Sequence, residues 1–325
     1  MIEVIQPGIM TTVQDLGRPG HYLRGIPPSG ALDLVSHRLA NALVRNHEDA
    51  ATLEFTFTGP TLRFSSSVDF AVTGGGVPIM LNGEEIEPWQ SHRADADDVL
   101  SFGFLQSGVR GYIGFSGGLA VPHYLGSAST LVNAGLGGID GRKLVAGDVL
   151  RVDRPTAPSV RAVLDSRFQP PFFSRDVELR YIPGLFDYRL TPDGRRDFSE
   201  RVWTVTPSAD RTGVRLSTAN RTPLEFVSRS TPFGTGDNPS NVVDTGYPLG
   251  AIQLPAGIEP IVLSRDAVTA GGYCTAGAVI SADLDRLGQA VTHSQVQFVP
   301  VSIEDAAIAR NERREFIARA IDSLS

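Results

Sequence analysis

Two short stretches crowd the side chains of widest chemical reach against turns. PPSGALDLVSHRLAN (27–41) holds Ser29, Asp33, Arg38 and Asn41, and SADRTGVRLS (208–217) holds Asp210, Arg211 and Arg215. A guanidinium offers two parallel N–H donors, the geometry that a carboxylate or a bicarbonate-like anion accepts. Asp210 and Arg211 stand just before Thr212-Gly213, so the pair has a second reading, a local salt bridge that fixes the loop. The sequence leaves both readings open.

A third stretch, AGGYCTAG (270–277), contains Cys274, the one cysteine in 325 residues. One cysteine can form no internal disulfide and no cysteine-rich zinc site. The six histidines show neither HxH nor HExxH spacing, so no metal site is expected. TGGGVP (73–78) and AGLGGIDGRKL (134–144) lack the GxxxxGK[ST] phosphate loop, because Leu144 follows Lys143. Their glycines suit tight turns and close backbone approach. FSGGLA (115–120) is not a GxSxG nucleophile turn. Lys143 is the only lysine, so any Schiff-base or biotinyl-lysine chemistry rests on it, and no Met-Lys-Met biotin site is present.

The elements that must position these residues are mostly strands. TLEFTFTGPTLRF (52–64) alternates in two runs around Gly59-Pro60, and VPIMLNGEEIEPW (77–89) carries the Asn-Gly hairpin signal. VDFAVTGG (68–75), GVRGYIGFSGGL (108–119), VELRYIPG (177–184), RVWTVTP (201–207), TGVRLS (212–217) and GAIQLP (250–255) read as further strands. GRKLVAGDVLRV (141–152) reads as two short strands across an Ala-Gly-Asp turn. EPIVLSRDAVTAGGY (259–273) reads as a strand entering a glycine turn. Helices are few. SGALDLVSHRLANALVRN (29–46) places Leu32, Val35, Leu39 and Leu43 on one face, with Ser29 as cap and Asp33 in the first turn. SADLDRLGQ (281–289) is a short helix capped by Ser281, and 303–322 is a longer one capped by Ser302 with Asp305 three residues on. RPTAPS and SRFQPPFFS, within 153–174, read as a seam between domains. Many strands, Gly/Pro turns and few helices favour barrels or sandwiches. LEF recurs in TLEFTFTGPTLRF and in TPLEFVSRSTPF (222–233), which would fit a duplicated barrel. A length of 325 residues with 41% hydrophobic composition supports two domains with a core each. A net charge of −7 argues against nucleic acid as a partner, and no run of apolar residues is long enough to span a membrane. With no signal peptide pattern and no disulfide, a cytoplasmic home is expected.

In this order along the chain, TTVQDLGRPG (11–20), PPSGALDLVSHRLANALVRN (27–46), LEFTFTGPTLRF (53–64), LGSASTLVNAGLGGIDGRKLVAGDVL (125–150), SADRTGVRL (208–216), GAIQLPAGIEPIVLSRDAVTAGGY (250–273) and VISADLDRLGQ (279–289) together resemble the biotin-dependent carboxyltransferase, or allophanate-hydrolase-subunit-2-like, family. The likeness covers nearly the whole chain. It implies a mainly β molecule of two cyclophilin-like β-barrel domains with a few short helices, at 1–160 and 170–325. It implies the C component of an ATP-dependent 5-oxoprolinase, which acts with subunits A and B to turn 5-oxoproline into glutamate. Two other roles occur in the same family. One is a carboxyltransferase component that moves carboxyl from carrier-borne biotin to urea or a related amide. The other is a regulatory protein that binds and antagonises a subunit-B-like kinase inhibitor.

The resemblance also implies a partner resembling allophanate hydrolase subunit 1 and a small-molecule amide substrate. No cofactor is implied on this chain alone. ATP would be used by the complex, and biotin would ride on a separate carrier under the carboxyl-transfer role. The family's motifs put catalytic groups at Asp33, Asp210, Asp266 and Tyr273. They put substrate-binding groups at Arg18, Ser29, Asn41, Arg211, Gln253 and Thr269. Relatives usually have proline where Cys274 stands, which implies a compact buried residue there rather than a nucleophile.

Overall fold

The structure is a computed structural model that describes residues 1–153, 161–171, 173–230 and 232–324. The RPTAPS segment lies outside the described residues. The chain divides into two compact units that interleave in sequence. The first comprises Met1–Arg18, Ser29–Phe173 and Arg314–Ser325; the second comprises Pro19–Pro28 and Ser174–Arg313.

The first unit contains two sheets. One has six strands in the order Val149–Leu150, Ile2–Gln6, Thr61–Phe64, Val99–Phe102, Ile79–Leu81, Glu84–Ile86. The other has five, in the order Met10–Gln14, Thr52–Thr56, Arg110–Phe115, Val68–Gly74, Ser91–Ala94. Leu53, Phe55, Leu62, Phe64, Phe70 and Ile113 are fully buried in one core cluster drawn from both sheets. The two runs of TLEFTFTGPTLRF are strands as read, but they belong to different sheets and do not pair with each other. The Asn82-Gly83 hairpin is present: both turn residues have positive φ (55° and 82°), and Ile79–Leu81 pairs with Glu84–Ile86. Within GRKLVAGDVLRV only Val149–Leu150 is a strand. The preceding residues are held instead by a turn in which Arg142 grips Asp148 with two bonds of 2.8 Å.

The helix of this unit is Leu34–Leu43. Its Val35, Leu39 and Leu43 are fully buried in a cluster with Ala71 and Trp89, and each such side chain contributes about 1.5–3 kcal/mol. Thr73 Oγ1 donates to the Ser36 carbonyl at 2.7 Å and ties the helix to the sheet. Its cap is Asp33, not Ser29: the Asp33 carboxylate accepts from Ser36 N at 2.9 Å, whereas Ser29 has φ 52° and lies four residues too early.

The second unit is built on a closed barrel of seven strands, in the order Asp176–Pro183, Thr275–Val279, Ala251–Gln253, Ile261–Leu263, Gly213–Ser217, Trp203–Val205, Gln295–Pro300. The parallel pairing of Gln295–Pro300 with Asp176–Pro183 closes it. Trp203, Leu216, Ile252, Val262 and Phe298 fill the interior. This is the one closed barrel among the described residues, so of the two expected barrels one is found and a second is not confirmed: the fold is mixed α/β and strand-rich, with one barrel and open sheets. The LEF repeat has no structural counterpart either, since Leu224–Phe226 forms no strand and only Phe226 makes an isolated bridge, to Leu190. Where the sequence suggested a glycine turn at AGGY, Ala270–Tyr273 is a strand, paired with Asn241–Gly246.

Two further helices lie in this unit, and a third, Ile303–Asp322, has its residues up to Arg313 in this unit and the rest in the first. Pro192–Glu200, capped by Thr191, was not legible as a helix in its charged, glycine-containing sequence. Leu284–Gly288 follows Asp283 at its N-cap position rather than Ser281. Ile303–Asp322 has the reciprocal cap read from sequence: Asp305 N donates to Ser302 Oγ at 3.0 Å, and Ser302 N donates to Asp305 Oδ2 at 3.2 Å.

Candidate active-site residues in the two units

The motif residues fall into two groups, one in each unit. In the first unit the organising side chain is Asp15, which sits inside the TTVQDLGRPG motif but was not among the expected site residues. Its carboxylate is 6% exposed and accepts from Gly17 N (2.7 Å), Ser127 Oγ (2.6 Å), Ala128 N (2.6 Å) and Ser129 Oγ. Burial works to raise its pKa, but the bonds from Ser127, Ser129, Gly17 and Ala128 outweigh burial and hold the carboxyl below its ordinary value. Arg18 lies beside this cage, 1% exposed, with Nη2 donating to the Ser129 carbonyl and Nε to the Tyr124 carbonyl at 3.4 Å. The glycine loop closes over it. Gly137 has φ 68°, and a Cβ there would lie 2.1 Å from the Ser129 carbonyl and 2.8 Å from Arg18 Nη2.

Ser29 is fully buried in the adjoining segment, where Ala31 N donates to the Asp15 carbonyl at 2.9 Å. Asp33 has both carboxylate oxygens engaged by Ser36, N–H to one and Oγ to the other at 2.6 Å. Its own N–H donates to Tyr112 Oη at 2.9 Å, and that phenol donates to Glu54 Oε2 at 2.8 Å. Asn41 faces away from this network. Its amide donates to the Ala50 carbonyl at 2.8 Å and its oxygen accepts from Asn46 at 3.0 Å. His37, one turn before Asn41, is fully buried with Nδ1 2.9 Å from Thr52 Oγ1. Burial pushes it down to about 4, against the opposing pull of Asp15, so it is neutral at ordinary pH.

In the second unit the Arg211 fork is filled. Nε lies 2.7 Å from Asp266 Oδ2 and Nη2 3.2 Å from Asp266 Oδ1, and the Asp266 N–H returns to the Arg211 carbonyl at 3.0 Å. The expected partner Asp210 is exposed and does something else: its Oδ1 accepts from Thr212 N (2.7 Å) and Gly213 N (3.1 Å), folding its own turn. Arg211 and Asp266 thus come together in one bidentate pair, and Asp210 stands apart from it.

The remaining three residues meet around a side chain that the sequence reading missed, Tyr247. Its phenol donates to the Tyr273 carbonyl at 2.8 Å and accepts from Tyr273 N at 2.7 Å. Burial raises the Tyr247 pKa, while hydrogen bonds from the Tyr273 N–H and the Gln253 side chain favour the phenolate. Thr269 accepts from Tyr247 N at 2.9 Å through its carbonyl. Tyr273 itself is 39% exposed, so its phenol reaches solvent while its backbone is clamped. No single-residue pattern marks Tyr247; only the pairing of 241–246 with 270–273 brings it to Tyr273.

Cys274, the next residue, is fully buried in the barrel core, and burial pushes its thiol up to about 11. A neutral, enclosed thiol is a packing group, as its place in the motif implied. Among the described residues no group of three or more His, Cys, Asp or Glu could hold a metal ion. Nor is any helix among them long and apolar enough to cross a membrane.

The family described as carboxyltransferase domain, subdomain A and B, matches residues 24–300. The urea amidolyase of Lachancea kluyveri is 34% identical over 321 residues, which are 94% of this chain and 17% of that protein. The C component of the 5-oxoprolinase of Escherichia coli is 32% identical over 318 residues, 97% of this chain and 96% of that one. Among solved structures, the urea amidolyase of K. lactis superposes with a TM-score of 0.91 at 33% identity, over 98% of this chain and 20% of that chain. The chain therefore spans less than a fifth of the first of these relatives and nearly all of the second. The chain belongs to the biotin-dependent carboxyltransferase family, subdomains A and B, and is related to the urea amidolyases and to the C component of 5-oxoprolinase.

Proposed function

We propose that this chain is a carboxyltransferase module that moves a carboxyl group from biotin on a separate carrier to a nitrogen of urea or a related amide. The observation that carries the reading is the agreement with the K. lactis urea amidolyase over 98% of the chain at a TM-score of 0.91. It ranks this role above the oxoprolinase role that the motifs first suggested. The chain's own chemistry agrees that the carrier is elsewhere. Lys143 is flanked by Arg142 and Leu144, its Nζ donates to the Ile9 carbonyl at 3.2 Å, and Leu144 N is tied to the Thr11 carbonyl at 2.9 Å. A clamped segment of that sequence does not fit a swinging biotin attachment.

Carrier-borne biotin would supply the carboxyl group: its N–C bond breaks, a C–N bond forms to the amide, and the amide nitrogen gives up a proton that ends on the biotin nitrogen. Tyr273 is the residue of this chain suited to handle that proton, because its phenol is exposed while Tyr247 and Gln253 fix the strand that carries it. Thr269 and the N–H groups of the glycine strand hold the amide. The Arg211–Asp266 pair positions the loop after Ile261–Leu263, and the Asp15–Arg18 cage positions the loops of the first unit, with Asp33 and Asn41 setting its helix. The partner is a subunit-1-like module, and the acceptor is a small amide.

One observation favours a second reading. The match to the E. coli 5-oxoprolinase component covers 96% of that protein, so nearly all of a component that bears that name has a counterpart here, which favours a role with subunits A and B and ATP. Complementation of a strain deleted for the C component, grown on 5-oxoproline as nitrogen source, separates the two. The transfer reading expects no growth; full growth would replace it with the oxoprolinase reading.

A further inference from the structure

Several buried and half-buried arginines in this fold are paired with carboxylates. Arg110 lies 3.8 Å from Glu54, Arg180 2.7 Å from Asp283, Arg211 2.7 Å from Asp266 and Arg313 2.5 Å from Asp285. Arg189 and Arg229 break the pattern. Arg189 is 7% exposed, and its Nη2 donates to the Pro239 carbonyl. Arg229 is half-buried, and its Nη2 donates to the Asn241 carbonyl at 2.5 Å. Neither meets a carboxylate among the described residues. Between them, Cys274 N donates to the Ser240 carbonyl at 2.8 Å. Three consecutive carbonyls therefore gather two guanidinium groups and the Cys274 backbone at one turn.

That turn is rigid. Asn241 N closes on the Asn238 carbonyl at 3.1 Å, and Asn238 Oδ1 accepts from Ser240 N (2.9 Å) and Ser240 Oγ (2.7 Å). Ser240 Oγ also accepts from Ala256 N at 3.0 Å, which ties the turn to the barrel. Each guanidinium spends one donor on a carbonyl and keeps the others of its five. An arginine cannot shed its proton, so a buried one without a counter-charge is costly until an anion reaches it. Cys274 and Leu254 are fully buried beside the turn and Val242 nearly so, so the apolar barrel core backs the turn, a setting that favours a singly charged organic anion over a hydrated dianion. Burial raises the Cys274 thiol, and both guanidinium charges act against that rise.

We propose that Arg189 and Arg229 form a binding site for a small organic carboxylate at the Asn238–Asn241 turn. It stands independently of the transfer reading, since it needs no carrier, partner or turnover. The test is equilibrium binding of propionate at fixed ionic strength, by titration calorimetry, with chloride as control and inorganic phosphate as competitor. Saturable binding to the native chain is expected, at least about tenfold weaker in Arg229→Gln and in Arg189→Met. If the buried Arg189→Met fails to fold, the half-buried Arg229→Gln carries the test. Absence of saturable propionate binding, or equal affinity in Arg229→Gln, overturns the site. Binding of phosphate with propionate excluded overturns the carboxylate assignment.

Discussion

Arg211 illustrates how a residue's partner decides its role. Its fork is occupied by Asp266, 55 positions away, and both side chains are a tenth exposed or less. Arg211→Met leaves Asp266 buried without its counter-charge, so urea unfolding should show a loss of about 3–5 kcal/mol. An unchanged midpoint would return Arg211 to the pool of open substrate ligands. Tyr273 gives the opposite expectation. Tyr273→Phe removes a half-exposed hydroxyl, so the melting temperature should hold while turnover of the assembled complex falls about 10²-fold or more. A preserved rate would remove it from proton transfer. Two buried groups contribute opposite pH dependences to stability. His37 falls from 6.5 to about 4 on folding, so the unfolded chain takes up its proton first. Stability is full above about pH 6.5 and is lost as pH drops towards 4, by about 3 kcal/mol. Cys274 rises from 9.0 to about 11, so its contribution is full below about pH 9 and disappears as pH climbs through 11. Unfolding across both windows checks this, with His37→Gln flattening the acid side and Cys274→Ala the alkaline side. The motifs named Arg211, Asp266, Gln253 and Tyr273, but their grouping was not legible. Sequence shows Asp210 beside Arg211 and cannot show that Asp210 spends its carboxylate on its own turn. Tyr247 carried no signal at all, because its contacts arise across two strands.

The loop AGLGGIDG is an element whose glycines differ in what they do. Gly137 and Gly135 both have positive φ, 68° and 62°. A Cβ on Gly135 would meet nothing within 4 Å, so Gly135→Ala should cost only the backbone penalty of about 1–2 kcal/mol. On Gly137 it would strike the Ser129 carbonyl and Arg18, adding overpacking for a total of at least about 3 kcal/mol. Equal losses by chemical denaturation would show that the loop does not press on the Asp15–Arg18 cage. Elements with a local signature were legible: the Asn82-Gly83 hairpin, the Leu34–Leu43 helix by its apolar stripe, and the Ser302/Asp305 cap. Elements defined by distant pairing were not. The strand Ala270–Tyr273 reads as a turn because three of its residues are small, and it is a strand only because Asn241–Gly246 lies beside it. The barrel closes through a parallel pairing between residues more than a hundred positions apart, which no alternation pattern reports. The same blindness made a second barrel look plausible: the alternation of the first unit is real, but it distributes into two sheets.

At the scale of the whole molecule, two units with separate cores carry one family signature that spans residues 24–300. The first unit supplies a buried polar cage that holds loops. The second supplies the exposed phenol of Tyr273 and the clamp behind it, so catalysis and loop positioning are divided between them in the transfer reading. The chain matches 17% of one relative and 96% of another, and these two relatives bear the names of different activities. The measurement that decides between them directly follows a labelled carboxyl group. The chain is assembled with the subunit-B-like protein of the same genome and mixed with a biotinylated carrier whose biotin bears ¹⁴C-carboxyl, with urea present and ATP absent. The account predicts that label leaves the carrier and appears on urea at a rate that depends on this chain and falls in Tyr273→Phe. Label that stays on the carrier, while the same assembly plus the A component and ATP converts 5-oxoproline to glutamate, would contradict it.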